Sequence, residues 1–190
     1  HGAPACFMAQ PIERYAGSGM HLHVSMQDGE GRNVFTEGRD GEWSPTLLHA
    51  LGGLTATMAE SMLVFAPHAN SWRRFVSQSY APVAPTWGVN NRSVALRVPA
   101  GSKSARRIEH RPSGVDANPY LVAATVLAGI AKGLDEKLDP GPETTGNGYE
   151  CERANGAEMP ADASAFAYAA GFMLATALLH VAGIGAGIAI

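Results

Sequence analysis

Apolar and polar residues alternate strictly over Met20-His21-Leu22-His23-Val24-Ser25-Met26. That is the period of a half-buried strand, with His21, His23 and Ser25 on one face. The same pattern recurs from Ser93 to Val98, where Val94, Leu96 and Val98 share a face opposite Arg97. It recurs again in Arg106-Arg107-Ile108-Glu109-His110-Arg111-Pro112, which as a strand presents Arg107, Glu109 and Arg111 on one side and Ile108 and His110 on the other. Two longer apolar stretches predict helices. Ser44-Pro45 has the N-cap and N1 signature and opens one that runs towards Met62, while Asp116-Ala117-Asn118-Pro119 caps another through about Gly133. Ala5 to Met8, closed by Pro11, predicts a short buried strand, and Asn33-Val34-Phe35 a strand returning from the turn at residues 27–31. Residues 81–91, with Pro82, Pro85, Gly88 and Asn90-Asn91, predict a loop.

The C-terminal part changes character. Pro140 to Gly148 is a Gly, Pro and Thr-rich linker. From Ala163 to Ile190 there are 28 residues with no Asp, Glu, Lys or Arg, long enough to cross a bilayer, and Gly183 and Gly187 form a GxxxG spacing. A buried Ala-rich helix is the alternative reading, because Ala and Gly each contribute little hydrophobicity.

Composition sets the outer limits. With 190 residues, 46% hydrophobic and 16% charged, the chain is long enough for one globular domain and is not of disordered type. Cys6 and Cys151 form neither a zinc pattern nor a disulfide framework, which points to reduced thiols and a cytoplasmic location. The first residue is His1 and no basic-then-apolar leader follows, so the chain reads as a piece of a longer protein.

Charge is distributed unevenly. Residues 70–111 hold eight Lys or Arg (Arg73, Arg74, Arg92, Arg97, Lys103, Arg106, Arg107, Arg111) against one acid, Glu109, a net +7 in a chain of net −3, so the remainder sums to −10. Such a segment expects a polyanionic ligand, and a carboxylate embedded in it expects a metal alongside the anion. Guanidinium groups are bidentate clamps for carboxylate and phosphoryl oxygens. Glu109 among cations stays ionised and is suited to a divalent ion, and His21 and His23, two apart on a strand, are candidates for metal or phosphate. Arginine clamps beside His and Glu ligands form the kit of phosphoryl transfer. Nucleic-acid binding is disfavoured, because these arginines alternate with core residues instead of forming an open stripe.

Five ordered motifs carry a family resemblance: Gly17-Ser18-Gly19-Met20-His21-Leu22-His23-Val24-Ser25, Asn70-Ser71-Trp72-Arg73-Arg74, Asn91-Arg92-Ser93 with Arg97-Val98-Pro99, Arg107-Ile108-Glu109-His110-Arg111, and Asn118-Pro119-Tyr120. Together they resemble the signature set of the glutamine synthetase family. The resemblance implies an α+β fold, the antiparallel sheet of that family's catalytic domain with flanking helices, incomplete, to which the uncharged C-terminal stretch adds an apolar helix. Together with the linker composition and the uncharged stretch, this divides the chain into a partial catalytic domain at 1–140, a linker at 141–155 and the apolar helix at 156–190. The resemblance implies ATP and Mg2+ or Mn2+ as cofactors, glutamate and an amine as substrates, and a homo-oligomer. By resemblance, His21 and Glu109 ligate one divalent ion, and His23 and Ser25 lie near the ATP phosphates and the adenine. Gly17, Arg74 and Arg111 bind the substrate glutamate, Arg92 stabilises the transferring phosphoryl group, and Arg97 and Arg107 face ATP.

The departures are informative. Glutamine synthetases proper carry a Tyr-Glu-Ala-Pro flap whose glutamate takes a proton from ammonium; here the run is Ser79-Tyr80-Ala81-Pro82, with Tyr80 in that place. With Trp87 to Arg92 and Gly114 to Asn118 this is similar to the γ-glutamylpolyamine branch, and an aromatic suits a longer amine better than an ammonium ion. The expected activity is therefore an ATP-dependent glutamate–amine ligase, with ammonia-using glutamine synthetase or a non-catalytic, membrane-tethered relative as alternatives. The family's other metal ligands lie upstream of the matched motifs, so the chain is expected to be inactive alone. Residues 155–190 resemble instead a membrane segment of the hydrogenase and urease accessory family of nickel permeases, which makes membrane contact through 163–190, or a joined reading frame, the expectation there.

Overall fold

The computed structural model describes residues 2–36 and 42–150. The linker from 151 onward and the apolar stretch, with its membrane and permease expectations, lie outside the described residues.

Helix α1 spans Pro45–Phe65. It starts where the sequence places it, because the Ser44 hydroxyl accepts from the Leu47 amide at 3.4 Å and donates to the Val34 carbonyl at 2.9 Å. Leu47, Leu51, Leu54, Met58, Met62 and Phe65 recur at helical spacing and are all buried. The helix is long and apolar enough to span a bilayer, but its burial marks it as the core helix. A four-residue helix, α2 (Ala69–Trp72), follows and places Arg74 just beyond its end.

Helix α3 spans Pro119–Glu136, with Asn118 as its cap: the side-chain oxygen accepts from the amides of Tyr120 at 3.0 Å and Leu121 at 3.3 Å. It lies against α1 through glycines. A Cβ on Gly53 would overlap the Gly129 carbonyl and lie 2.6 Å from the Gly133 Cα, so the two backbones approach more closely than any side chain permits.

Four three-residue strands form one sheet in the order β1-β4-β3-β2. They are β1 (Leu22–Val24), β2 (Trp87–Val89), β3 (Leu96–Val98) and β4 (Ile108–His110). The class is α+β as expected, but the sheet is mixed: β1/β4 and β3/β4 are antiparallel, while β2/β3 are parallel. Parallel neighbours usually need a long crossover. Here each strand is so short that residues 90–95 suffice to carry the chain back, with the Leu96 amide donating to the Thr86 carbonyl and the Asn90 amide to the Val98 carbonyl. Strand β2 corrects the loop expected at 81–91. The prolines stop short of it, and Trp87 is buried with its indole N–H donated to the Gly141 carbonyl at 2.9 Å.

Two other expectations fail. Residues 5–8 form no strand, and Phe7 and Met8 stay exposed because no neighbouring strand edge meets them. Residues 34–36 form a 3-10 turn in place of a strand, held by the Asn33 side-chain oxygen accepting from the Phe35 amide at 3.0 Å.

Strand alternation sorts the sheet's two faces. Val24, Leu96, Val98, Ile108 and His110 face the helices and join the core or pack on it. On the other face the register sets His23 opposite Glu109, Glu109 opposite Arg97, and Arg97 opposite Gly88, so that β1, β4 and β3 carry a single row of functional side chains and β2 ends it with a glycine.

Candidate active site

Glu109 is the centre of that row. Its side chain is only 5% exposed, and its two oxygens are shared among three cationic or basic groups. Arg97 Nη1 donates to Oε2 at 2.7 Å, Arg111 Nη1 to Oε1 at 2.8 Å, and His21 Nδ1 lies 3.0 Å from Oε1. Burial by itself would raise the Glu109 pKa, but the Arg97 hydrogen bond and the charges of Arg111, Arg97 and His21 outweigh it and hold the carboxyl below its usual range. Burial and the Arg111 charge hold His21 below the usual histidine value against the opposing pull of Glu109, so the imidazole is kept neutral.

The arginines are fixed by their own partners. Arg111 donates through Nη2 to the carbonyls of Tyr80 at 3.1 Å and Arg92 at 3.0 Å, which ties residues 79–82 and the Arg92 segment to β4. Arg97 reaches the Asn90 side-chain oxygen at 2.5 Å, and Asn90 holds the left-handed conformation (φ 50°) that turns the chain after β2. The Nε–H groups of Arg97 and Arg111 are buried and have no protein partner among the described residues. Buried donors of this kind are suited to the oxygens of an anionic ligand.

A second group lies beside the first. Arg107 Nε donates to His23 Nδ1 at 3.1 Å on the exposed edge of β1 and β4, so this pair stands together. Ser25 lies on the same open face further along the chain from β1 and is exposed. Arg92 contributes its carbonyl to the cluster and its side chain is exposed.

A third group borders a cavity of about 250 Å³ lined by Gly17, Gly19, His21, Arg74, Tyr80 and Arg111, among others. Gly17 and Gly19 have no room for side chains, because a Cβ at either position would lie within 2.8 Å of Arg74 atoms. Arg74 is buried, and its Nη1 donates to the Pro112 carbonyl at 3.1 Å. Burial lowers its pKa, opposed by the charge of Asp116. A wider outer cavity of about 440 Å³, lined in part by Glu13, Tyr15, Arg73 and Ser77, shares Gly17, Arg74 and Tyr80 with the inner one. Tyr80 thus lies on the border of both, 68% exposed and in the left-handed region at φ 60°.

Eight of the ten site residues expected from sequence therefore fall into three adjoining groups: His21, Glu109, Arg97 and Arg111; His23 and Arg107; Gly17 and Arg74. Ser25 and the Arg92 side chain stand at the periphery. The sequence reading missed Asn90 as the partner of Arg97 and Asp116 as the acid beside Arg74, both being assigned to turns and caps. The Asn90-Asn91 pair flanking a basic residue was the only local signal for the first.

The chain matches the sequence model of the glutamine synthetase catalytic domain over residues 1–180, a span that runs beyond the linker into the apolar stretch. It is 49% identical over 152 residues to the γ-glutamylputrescine synthetase of Escherichia coli K12, covering 80% of this chain and 32% of that protein. It is 38% identical over 154 residues to the γ-glutamylethanolamide synthetase of Streptomyces coelicolor, covering 81% of this chain and 32% of that one. To the glutamine synthetase of Thermococcus kodakarensis it is 41% identical over 154 residues, with 81% and 34% covered. The chain spans about a third of the length of these curated relatives.

Proposed function

This chain belongs to the glutamine synthetase family, matching its catalytic domain, and on that premise we propose that its site serves an ATP-dependent glutamate–amine ligase. A γ-carboxylate oxygen of glutamate attacks the γ-phosphorus of ATP, and the bond to the β-phosphate oxygen breaks, releasing ADP. The amine nitrogen then attacks the acyl carbon of γ-glutamyl phosphate, phosphate leaves with the C–O electron pair, and the nitrogen loses a proton. Little covalent chemistry falls to the protein, so its work is positioning and charge neutralisation.

In this reading Arg74 and Arg111 hold the carboxylates of glutamate in the inner cavity, where Gly17 lets the backbone come close. Arg97 and Arg107, with His23, face the ATP phosphates across the open sheet face, Ser25 lies towards the adenine, and Arg92 meets the transferring phosphoryl group. His21 and Glu109 would hold a divalent ion, Mg2+ or Mn2+: a neutral imidazole and an ionised carboxylate 3.0 Å apart are donor types such an ion accepts. No third His, Cys, Asp or Glu joins them among the described residues, so the rest of that shell would come from elsewhere. When bound, the ion neutralises phosphate charge. Assembly into a homo-oligomer belongs to the same proposal.

The acceptor assignment rests on Tyr80. It lies between the two cavities where an amine would pass, and it puts an aromatic ring where ammonia-using members place a carboxylate. A ring favours an alkyl ammonium through apolar and cation–π contact and offers no base for ammonium itself. The test is a panel of putrescine, other alkyl amines and ammonia with the full-length protein, ATP and glutamate. Preferential γ-glutamyl amide formation from an organic amine is expected; turnover of ammonia alone would overturn the assignment in favour of glutamine synthesis.

A further inference from the structure

We propose that Asp116 is a positioning residue for Arg74, and that the glycine at position 114 exists to make room for it. The inference rests on the reading of Arg74 as a clamp for substrate glutamate. Asp116 lies in the segment between β4 and α3, beyond the motifs that define the site. Its Oδ2 accepts from the Ser71 hydroxyl at 2.6 Å and lies 3.5 Å from His68 Nδ1, so it is fastened to α2, the helix that immediately precedes Arg74. Its Oδ1 is buried and has no hydrogen-bond partner among the described residues. A buried carboxylate oxygen left without a donor is costly unless a cation compensates it. The buried Arg74 guanidinium is the cation whose charged form Asp116 favours, through charge and not through a direct ion pair.

The two groups meet at Gly114. The space a Cβ on Gly114 would take is bordered by Asp116 Oδ1 and by Arg74 Nη1, the latter at 3.5 Å. Any side chain at 114 would displace the carboxylate. The arginine fork is thus divided in function. Nη1 is anchored by the Pro112 carbonyl at 3.1 Å on the Gly114 side, while Nη2 lies 2.7 Å from where a Cβ on Gly19 would stand, at the wall of the inner cavity. One hydrogen bond does not by itself fix a planar group that can rotate; the charge of Asp116, held in place by Ser71 and His68, draws that nitrogen towards the Gly114 side and leaves Nη2 for the ligand.

Two substitutions separate charge from position. Asp116→Asn keeps the shape and an acceptor for Ser71 but removes the charge. Gly114→Ala keeps the charge but pushes the carboxylate away from Arg74, at modest cost because the displaced atom is the end of a side chain. In steady-state assays of the full-length protein, both variants should raise KM for glutamate by roughly tenfold, with kcat changed by less than about threefold and KM for ATP within about twofold. Unchanged glutamate KM in both soluble variants would overturn the proposal, as would a parallel rise in the ATP KM, which would mark general loosening of the fold. If one variant fails to fold, the other decides by the same criteria. A wild-type protein with no glutamate-dependent ATP turnover would instead remove the ligase reading and this proposal together, whereas wild-type activity with unaffected variants removes this proposal alone.

Discussion

His110 gives the fold a pH dependence that can be worked out from the structure. It alternates with Glu109 on β4, so the register that presents Glu109 to the open face drives His110 into the core, where its ring meets Phe65 edge-on at 4.5 Å and its Nδ1 has no partner. Burial, with a small contribution from the charge of His21, lowers its pKa from 6.5 to about 3. In the unfolded chain His110 takes up a proton as pH falls through 6.5; in the folded protein it does not until about pH 3. The unfolded state therefore binds more protons across that window, and stability rises with pH there. Each pH unit below 6.5 costs at most about 1.4 kcal/mol, so lowering the pH from 6.5 to 4.5 removes on the order of 2 kcal/mol, a large part of the stability of a domain this size. His21, whose pKa is also lowered, adds to the slope in the same direction. The contribution of His110 is isolated by difference: urea unfolding of wild type and His110→Leu at pH steps from 7 to 4.5 should show the two stabilities converging in favour of the variant as pH falls. Parallel curves would refute the reasoning, since they would mean that His110 is either solvated or protonated in the folded state.

Three further outcomes follow from the packing and the site. Gly53→Ala places a methyl group onto the backbone of α3 and should destabilise by roughly 3 kcal/mol, read as a fall in Tm, whereas Gly146→Ala, which meets open space, should leave Tm nearly unchanged. Asn118→Ala removes the acceptor for two α3 amides and should cost about 1 kcal/mol in denaturant unfolding; no loss would mean that solvent caps the helix equally well. Tyr80→Glu should shift the ratio of kcat/KM for ammonia over putrescine upward by roughly tenfold or more, and an unchanged ratio would remove Tyr80 from the acceptor site.

The elements that were legible in the sequence are those specified by local chemistry. Ser44-Pro45 and Asn118-Pro119 announce α1 and α3 because capping needs only a side-chain acceptor and a proline a few atoms away. Alternation sorted Arg107, Glu109 and Arg111 from Ile108 and His110 correctly, since side-chain direction in a strand depends only on its period. Strand β2 was hidden because it is only three residues long, the acceptor of its indole, Gly141, is remote, and the prolines before it argue for a loop. The apolar run at residues 5–8 misled for the opposite reason: local hydrophobicity was present, but no strand edge meets it. In the site, the charged residues were legible as an anion-binding set, but which arginine meets which partner was not. That depends on the β1-β4-β3-β2 order, which alone brings His21, just before β1, and Arg97, in β3, to Glu109 from its two sides. Asp116 escaped notice because its role appears only when Gly114 and Arg74 are seen to share one space.

As a glutamate–amine ligase, this face would transfer the γ-phosphoryl group of ATP to glutamate before any amine reacts. Hydroxylamine traps an activated acyl group as a hydroxamate, and the nucleotide released alongside it identifies the activation. With the full-length protein, glutamate, ATP, a divalent metal and hydroxylamine, γ-glutamyl hydroxamate should form in step with ADP and phosphate, lowered by roughly a hundredfold or more in Glu109→Gln. Hydroxamate formed with AMP and pyrophosphate, or undiminished formation in Glu109→Gln, would contradict it.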